Sequence, residues 1–197
     1  LLIKDGTEGL NFGNFEQKMG WKSQPTAEVI FEDCNVSAGY LLGVENEGFI
    51  YAMQGLDGGR LNIAAAALGG AQAALNIAKR YIKERIAFRK KLSEFQGLQF
   101  KIADMEIAIN SSRTVLREAA WKLDENKSDA SISCAMAKKF VTDNAFMIAN
   151  NSLQLLGGYG YLADYGIEKI VRDLRVHQIL EGTNEIMQVM IARHFLR

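Results

Sequence analysis

What most constrains this chain is where proline is missing. Pro25 is its one proline, and none occurs from Glu47 to the end of the 197 residues. A proline inside a helix removes a backbone donor and clashes with the preceding turn, so a long proline-free tract leaves room for long helices. Within that tract apolar residues recur at helical spacing through 47–85, 98–124, 129–156 and 165–177, with a last run from 183, which predicts four or five helices. Long helices with short connections favour an antiparallel bundle. Before residue 45 the pattern is different. Short apolar or alternating runs such as AEVIFEDCNV (27–36) lie between the turn signals Asp5-Gly6, Gly13-Asn14 and Pro25, predicting a strand-rich lobe. The chain therefore reads as mainly α: residues 46–197 a helical bundle, residues 1–45 a strand-rich lobe.

A chain of this length buries one substantial core, or one core and a smaller lobe, without disulfides or metal. Lys+Arg 23 against Asp+Glu 23 gives no electrostatic bias toward nucleic acid or anionic lipid. Cys34 and Cys134 lie far apart and lack metal-ligand spacing, so both are expected as buried free thiols in a reducing compartment. His177 and His194 have no Cys, Asp or His at ligand spacing, and no metal is expected. No run reaches the roughly 20 uninterrupted apolar residues of a membrane span, and no basic-then-apolar leader is visible. The chain starts Leu1-Leu2-Ile3 without methionine and is read as a fragment, so the missing leader says little about localisation.

Several stretches carry chemistry, each with a plainer reading beside it. NIAAAALGGAQAALNIA (62–78) is dense in small residues and reads as a core helix or a subunit interface. GLDGGR (55–60) sets Asp57 and Arg60 one turn apart among three glycines; an i,i+3 ion pair at a kink is the plain account. KRYIKERIAFRKK (79–91) gathers basic residues about Phe88, either clamping a phosphate or complementing a helix C-terminus. LGGYGY (156–161) ends a helix with Gly157-Gly158, which permit positive φ or a close backbone approach, or simply cap the helix. In HQILEGTNEIMQVMIAR (177–193) Glu181 precedes a helix start with Thr183 as a good N-cap, so helix-dipole stabilisation alone accounts for an acid there.

Taken together, in this order and spacing, these elements resemble the acyl-CoA dehydrogenase family. The resemblance covers essentially the whole chain, as the last part of the family's middle β-domain followed by its C-terminal helical domain. It implies an FAD flavoenzyme in which Glu181 is the base that removes the acyl α-proton and the Gly182 backbone touches the thioester. Thr183, Asn184 and Glu185 match the stretch along FAD, and Gln154, Leu155, Leu156, Gly157 and Gly158 match a segment reaching FAD from the neighbouring subunit. Arg85 matches an arginine on the FAD pyrophosphate, with Phe88, Phe95 and Gln96 in the same flavin-facing stretch. Asp57, Gly58, Gly59 and Arg60 resemble acyl-CoA contacts, and Arg193 a CoA-side position.

The implied reaction is α,β-dehydrogenation, in which a desolvated carboxylate removes the α-proton and the β-hydrogen leaves as hydride to FAD, giving a trans-2-enoyl-CoA. GLDGGR, LQFKIADM, GGYGYLADY and RVHQILEGTNEIM look most like members acting on short branched acyl groups, isobutyryl-CoA first, in valine catabolism. Electron-transferring flavoprotein is implied as electron acceptor and a homotetramer as the assembly. The expected compartment is the mitochondrial matrix in a eukaryote or the cytoplasm in a bacterium. Some members carry the base immediately before the arginine of the Asp-x-x-Arg element, where this chain has Gly59. One departure stands out: the family usually has glycine after the Arg-x-x-Phe element, whereas Arg89 occupies that position, so a different local turn is expected. Two alternatives are a noncatalytic scaffold of the same fold, which the presence of Glu181 and Arg85 disfavours, and an acyl-CoA oxidase, which would form peroxide.

Overall fold

The computed structural model describes residues 1–196 and divides into two compact units at Gly55. In the first, β1 (Leu10–Phe12) and β2 (Val29–Phe31) pair antiparallel in the register Leu10↔Phe31, Asn11↔Ile30, Phe12↔Val29. Gly9 makes the entry possible: its φ is +81°, and a side chain there would run into the Glu32 carbonyl and come within 2.9 Å of Cys34 Cα. The expected strand-rich lobe amounts to this ribbon and a 3-10 turn at Ala38–Tyr40. Phe12, Val29 and Phe31 remain at least half exposed, because a two-stranded ribbon offers its side chains no second layer. Where the first unit ends, Tyr51 accepts from the Val44 amide at 3.0 Å and donates to Glu47 at 2.8 Å.

The second unit is helical: α1 (Gly48–Glu84, counted here from Leu56), α2 (Gln96–Asp124), α3 (Ala130–Leu156), α4 (Ile167–Arg175) and α5 (Asn184–Phe195). α1 stays helical through GLDGGR without interruption, so the glycines there do not break it. Its alanines 67, 71, 74 and 78 form one fully buried stripe at helical spacing, so the small-residue run is a core helix. Because alanine adds little girth, neighbouring helices come close. Met105 and Ile109 of α2, Ala145, Ile148 and Ala149 of α3, and Ile167 and Leu174 of α4 complete the core. Even a methyl on Gly70 would press to 3.1 Å from Leu174 Cδ2. α1 also has the length and hydropathy of a membrane-crossing helix, with 39% of the qualifying stretch buried inside the chain.

α2 and α3 pack along their length and are joined only by residues 125–129, which makes them an antiparallel hairpin. α3 is the central element, also contacting α4 and α5. Between α1 and α2 the structure adds something the helical pattern did not foresee: a tight hairpin, β3 (Ile86–Ala87) and β4 (Lys90–Lys91), turning on Phe88 (φ 53°) and Arg89 (φ 68°). Two successive left-handed residues are what a two-residue hairpin with type I′ geometry requires. Arg89 thus adopts the conformation that glycine would take more cheaply.

Candidate active site

The site grows out of the approach to α5. After α4 the chain makes a 3-10 turn, Val176–Gln178, and reaches α5 through residues 179–183. Thr183 caps α5, its Oγ1 accepting from the Ile186 amide at 3.3 Å. Just before it, Glu181 (φ 56°) and Gly182 (φ 87°) are both left-handed, which reverses the chain and turns the Glu181 side chain toward α1. There the half-buried carboxylate meets Gly59: a Cβ on that glycine would stand 2.9 Å from Glu181 Cδ and closer still to Oε2. Of the three glycines in GLDGGR, only this one faces a neighbour; Gly55 and Gly58 look onto open space.

One turn of α1 carries the other groups. Asp57 Oδ1 accepts from Arg60 Nη1 at 2.6 Å and from Ser131 Oγ at 3.1 Å. Arg60 is only 6% exposed, and its Nε is buried without a hydrogen-bond partner among the described residues. Cys134 lies fully buried, and burial pushes its thiol up to about 11, with the nearby Asp57 charge adding to the effect. Cys34 is half-buried, and both cysteines are free.

Beneath the Glu181 loop is a polar cluster of which only Asn184 was among the residues expected from the sequence. Lys138 of α3, fully buried, donates to the Gly182 carbonyl at 2.7 Å and to Asn184 Oδ1 at 2.8 Å. Burial brings its ammonium down to about 8, against an opposing pull from Asp143. Asn184 Nδ2 donates in turn to Thr142 Oγ1 at 3.0 Å and to Asp143 Oδ1 at 2.7 Å. Asp143 also accepts from Gln178 at 2.7 Å and pairs with Lys139 at 3.0 Å. Burial alone would raise the Asp143 carboxyl, but the bonds from Gln178, Lys139 and Asn184 hold it below its ordinary value. One signal was available: Lys138 falls on the spacing of Cys134, Val141 and Ala145, an otherwise buried stripe.

Eight of the remaining candidates line two clefts. Thr183, Asn184 and Glu185 line one of about 240 Å³ with Lys139, Asp143 and Arg175, although the Asn184 side chain itself points inward to the cluster. Arg85 and Gln154, Leu155, Leu156 and Gly157 line another, of about 340 Å³, which shares no lining residue with the first. Arg85 lies 5.7 Å from the Tyr159 ring centroid. At the neighbouring hairpin Phe88, 89% exposed, meets Phe95 edge to face at 6.3 Å, and Gln96 opens α2. Gly157 takes φ +60° as the cap of α3, whereas Gly158 faces open space; the close approach belongs to Gly160, whose Cβ would strike the Leu153 carbonyl. Arg193 is exposed in the last turn of α5.

The 340 Å³ cleft fits an anionic group attached to a flat apolar one. Arg85 and Lys101 supply positive charge, and Tyr81, Leu92, Leu98, Leu155 and Leu156 an apolar wall.

The sequence profile of the acyl-CoA dehydrogenase C-terminal domain matches residues 46–196. The chain is 49% identical over 197 residues to mitochondrial isobutyryl-CoA dehydrogenase of Bos taurus, an overlap of 100% of this chain and 47% of that protein. Among solved structures, butyryl-CoA dehydrogenase from Megasphaera elsdenii superposes with a TM-score of 0.96 at 41% identity, over 99% of this chain and 51% of the other. PigA with FAD and proline superposes at 0.93 with 27% identity, over 98% and 50%. The chain belongs to the acyl-CoA dehydrogenase family, whose members are FAD flavoprotein oxidoreductases. It spans about half the length of the relatives it matches.

Proposed function

We propose that residues 1–45 are the end of the middle β-domain, and residues 46–197 the C-terminal helical domain, of an FAD-dependent dehydrogenase. Its substrate is a short branched acyl-CoA, isobutyryl-CoA first, and its product the 2-enoyl-CoA. The observation that carries this reading is the Glu181 carboxylate lodged over Gly59, in the turn that bears Asp57 and Arg60. Glu181 removes the proton α to the thioester carbonyl. Charge then develops on the carbonyl oxygen, where fixed backbone donors are most effective, and Gly182 stands beside the base to meet the thioester. Asp57, Gly58, Gly59 and Arg60 border the acyl-CoA, and Arg193 lies on the CoA side. When bound, FAD supplies the acceptor for the β-hydrogen and its electron pair.

Arg85 and the Gln154–Gly158 segment hold one flavin, with Phe88, Phe95 and Gln96 beside it; Thr183, Asn184 and Glu185 lie along another. The separation of the two clefts in one chain supports this division, which calls for a homo-oligomer, a dimer of dimers, with each flavin shared between subunits. Electron-transferring flavoprotein takes the electrons onward, in the mitochondrial matrix or the bacterial cytoplasm.

The test is Glu181→Gln in the full-length protein, which keeps FAD and CoA ligand and loses turnover. Near-normal activity in that variant would remove Glu181 as the base. A panel of acyl-CoAs addresses the substrate. Isobutyryl-CoA should lead, with 2-methylbutyryl-CoA and short straight chains slower by graded factors, because one methylene is worth only about 1–3 kcal/mol. Highest kcat/KM on a long straight chain would overturn the short branched assignment.

A further inference from the structure

We infer that Lys138 positions the catalytic carboxylate: reaching up from α3, its ammonium holds the Gly182 carbonyl and the Asn184 side chain and so fixes the two left-handed residues that bring Glu181 against Gly59. The inference rests on Glu181 being the base.

The loop needs such an anchor. Glu181 at φ 56° occupies a region that is strained for a residue with a Cβ, and such conformations persist only where surrounding contacts over-determine them. Among the described residues Lys138 makes no hydrogen bond to the Glu181 backbone, but it does bond the next carbonyl. Holding the Gly182 oxygen orients the peptide that links Gly182 to Thr183, and holding Asn184 Oδ1 fixes the first residue of α5. Lys138 thus grips the chain on both sides of the cap residue Thr183. Asn184 is also held from below, its amide donating to Thr142 Oγ1 and Asp143 Oδ1, so the clasp cannot slide.

Packing does not explain a lysine here. Ala135, Ala137 and Val141 are fully buried around it on α3, and an aliphatic side chain of similar length would fill the space without the cost of burying charge. No carboxylate lies within 4 Å of the ammonium among the described residues, so ion pairing does not explain it either. The ionisable groups coupled to it are Asp143 on its own helix, Arg60 on α1, Glu185 on α5, Glu181 in the loop and the buried His177 after α4. What the ammonium provides is two directed hydrogen bonds to the segment that carries the base.

The experiment compares Lys138→Met with the wild type in the full-length holoenzyme, with Glu181→Gln in parallel. Lys138→Met should keep its FAD content and assembly and hold KM within about threefold, while kcat falls about 10- to 100-fold, the penalty for ångström-scale misplacement of a reacting group. The primary isotope effect with an α-deuterated acyl-CoA should rise, because proton removal becomes the slow step. Mere loss of folded protein lowers activity in proportion to FAD content and leaves the isotope effect unchanged; that result overturns the inference, as does an unchanged kcat. If Lys138→Met fails to hold FAD, Lys138→Gln, which keeps an amide donor, goes through the same assays. Failure of both to give a folded flavoprotein assigns Lys138 to folding and also overturns it. The two readings fail separately: an active Glu181→Gln variant removes the base, whereas an inactive one beside an unimpaired Lys138→Met removes only the positioning role.

Discussion

The carboxylate of Glu181 fills the space that a side chain on Gly59 would need, with Cδ only 2.9 Å from where a Cβ would stand. A side chain grown from position 59 therefore starts where that carboxylate now stands, and with Glu181 removed a glutamate there would place its own carboxyl in the same neighbourhood. Glu181→Gly in the full-length enzyme should lose about 10²- to 10⁴-fold in kcat, the usual worth of a positioned base. Adding Gly59→Glu to that variant should recover roughly tenfold of it, since the second position brings the same group into the same neighbourhood. Steady-state rates with isobutyryl-CoA decide the matter; no recovery in a folded, FAD-loaded double variant contradicts a shared position.

Arg89 sits at φ 68° in a two-residue hairpin turn and pays the steric cost of its Cβ. Arg89→Gly should stabilise the protein by about 0.5–1 kcal/mol, the relief being partly offset by the greater freedom of glycine when unfolded. Urea denaturation reads this directly, and a lower midpoint would mean that the arginine side chain makes a compensating contact.

Gly158 and Gly160 differ in what surrounds them. A methyl on Gly158 meets nothing within 4 Å, whereas one on Gly160 would collide with the Leu153 carbonyl and stand 3.1 Å from Leu153 Cγ. Gly158→Ala should change stability by less than about 0.5 kcal/mol, and Gly160→Ala should cost about 1–3 kcal/mol, because the obstacle is backbone and cannot move aside. Thermal melts of both variants provide the comparison.

Lys138 makes stability depend on pH in a stated direction. Its ammonium titrates at about 8 in the folded chain, while an unfolded lysine titrates near 10.4. Between those values the unfolded chain binds more protons, so folded stability rises with pH across that window, and below about pH 8 the burial penalty is present in full. Relative to Lys138→Met, which lacks this titration, the wild type should gain steadily in melting temperature from about pH 8 to about pH 10. A difference that stays flat, or shrinks, contradicts a buried charged lysine.

The helices were legible because their signal is local. The expected runs 98–124 and 129–156 became Gln96–Asp124 and Ala130–Leu156, since apolar residues three and four apart already specify which face of a helix turns inward. The start of α5 was legible as well, because its cap residue Thr183 and the glycine before it are contiguous with it. The 86–91 hairpin was not, as Phe88 and Arg89 lack the glycine or asparagine that normally announces left-handed backbone. Nor was Lys138, whose hydrogen-bond partners Gly182 and Asn184 lie 44 and 46 residues further on; within its own helix it looks like a polar interruption of a buried stripe. Sequence by itself thus determined where the chain is helical and which segment bears the carboxylate. Only the packing of α3 beneath the approach to α5 decided where that carboxylate points, because left-handed backbone and a buried charge are held by contacts between segments distant in the chain.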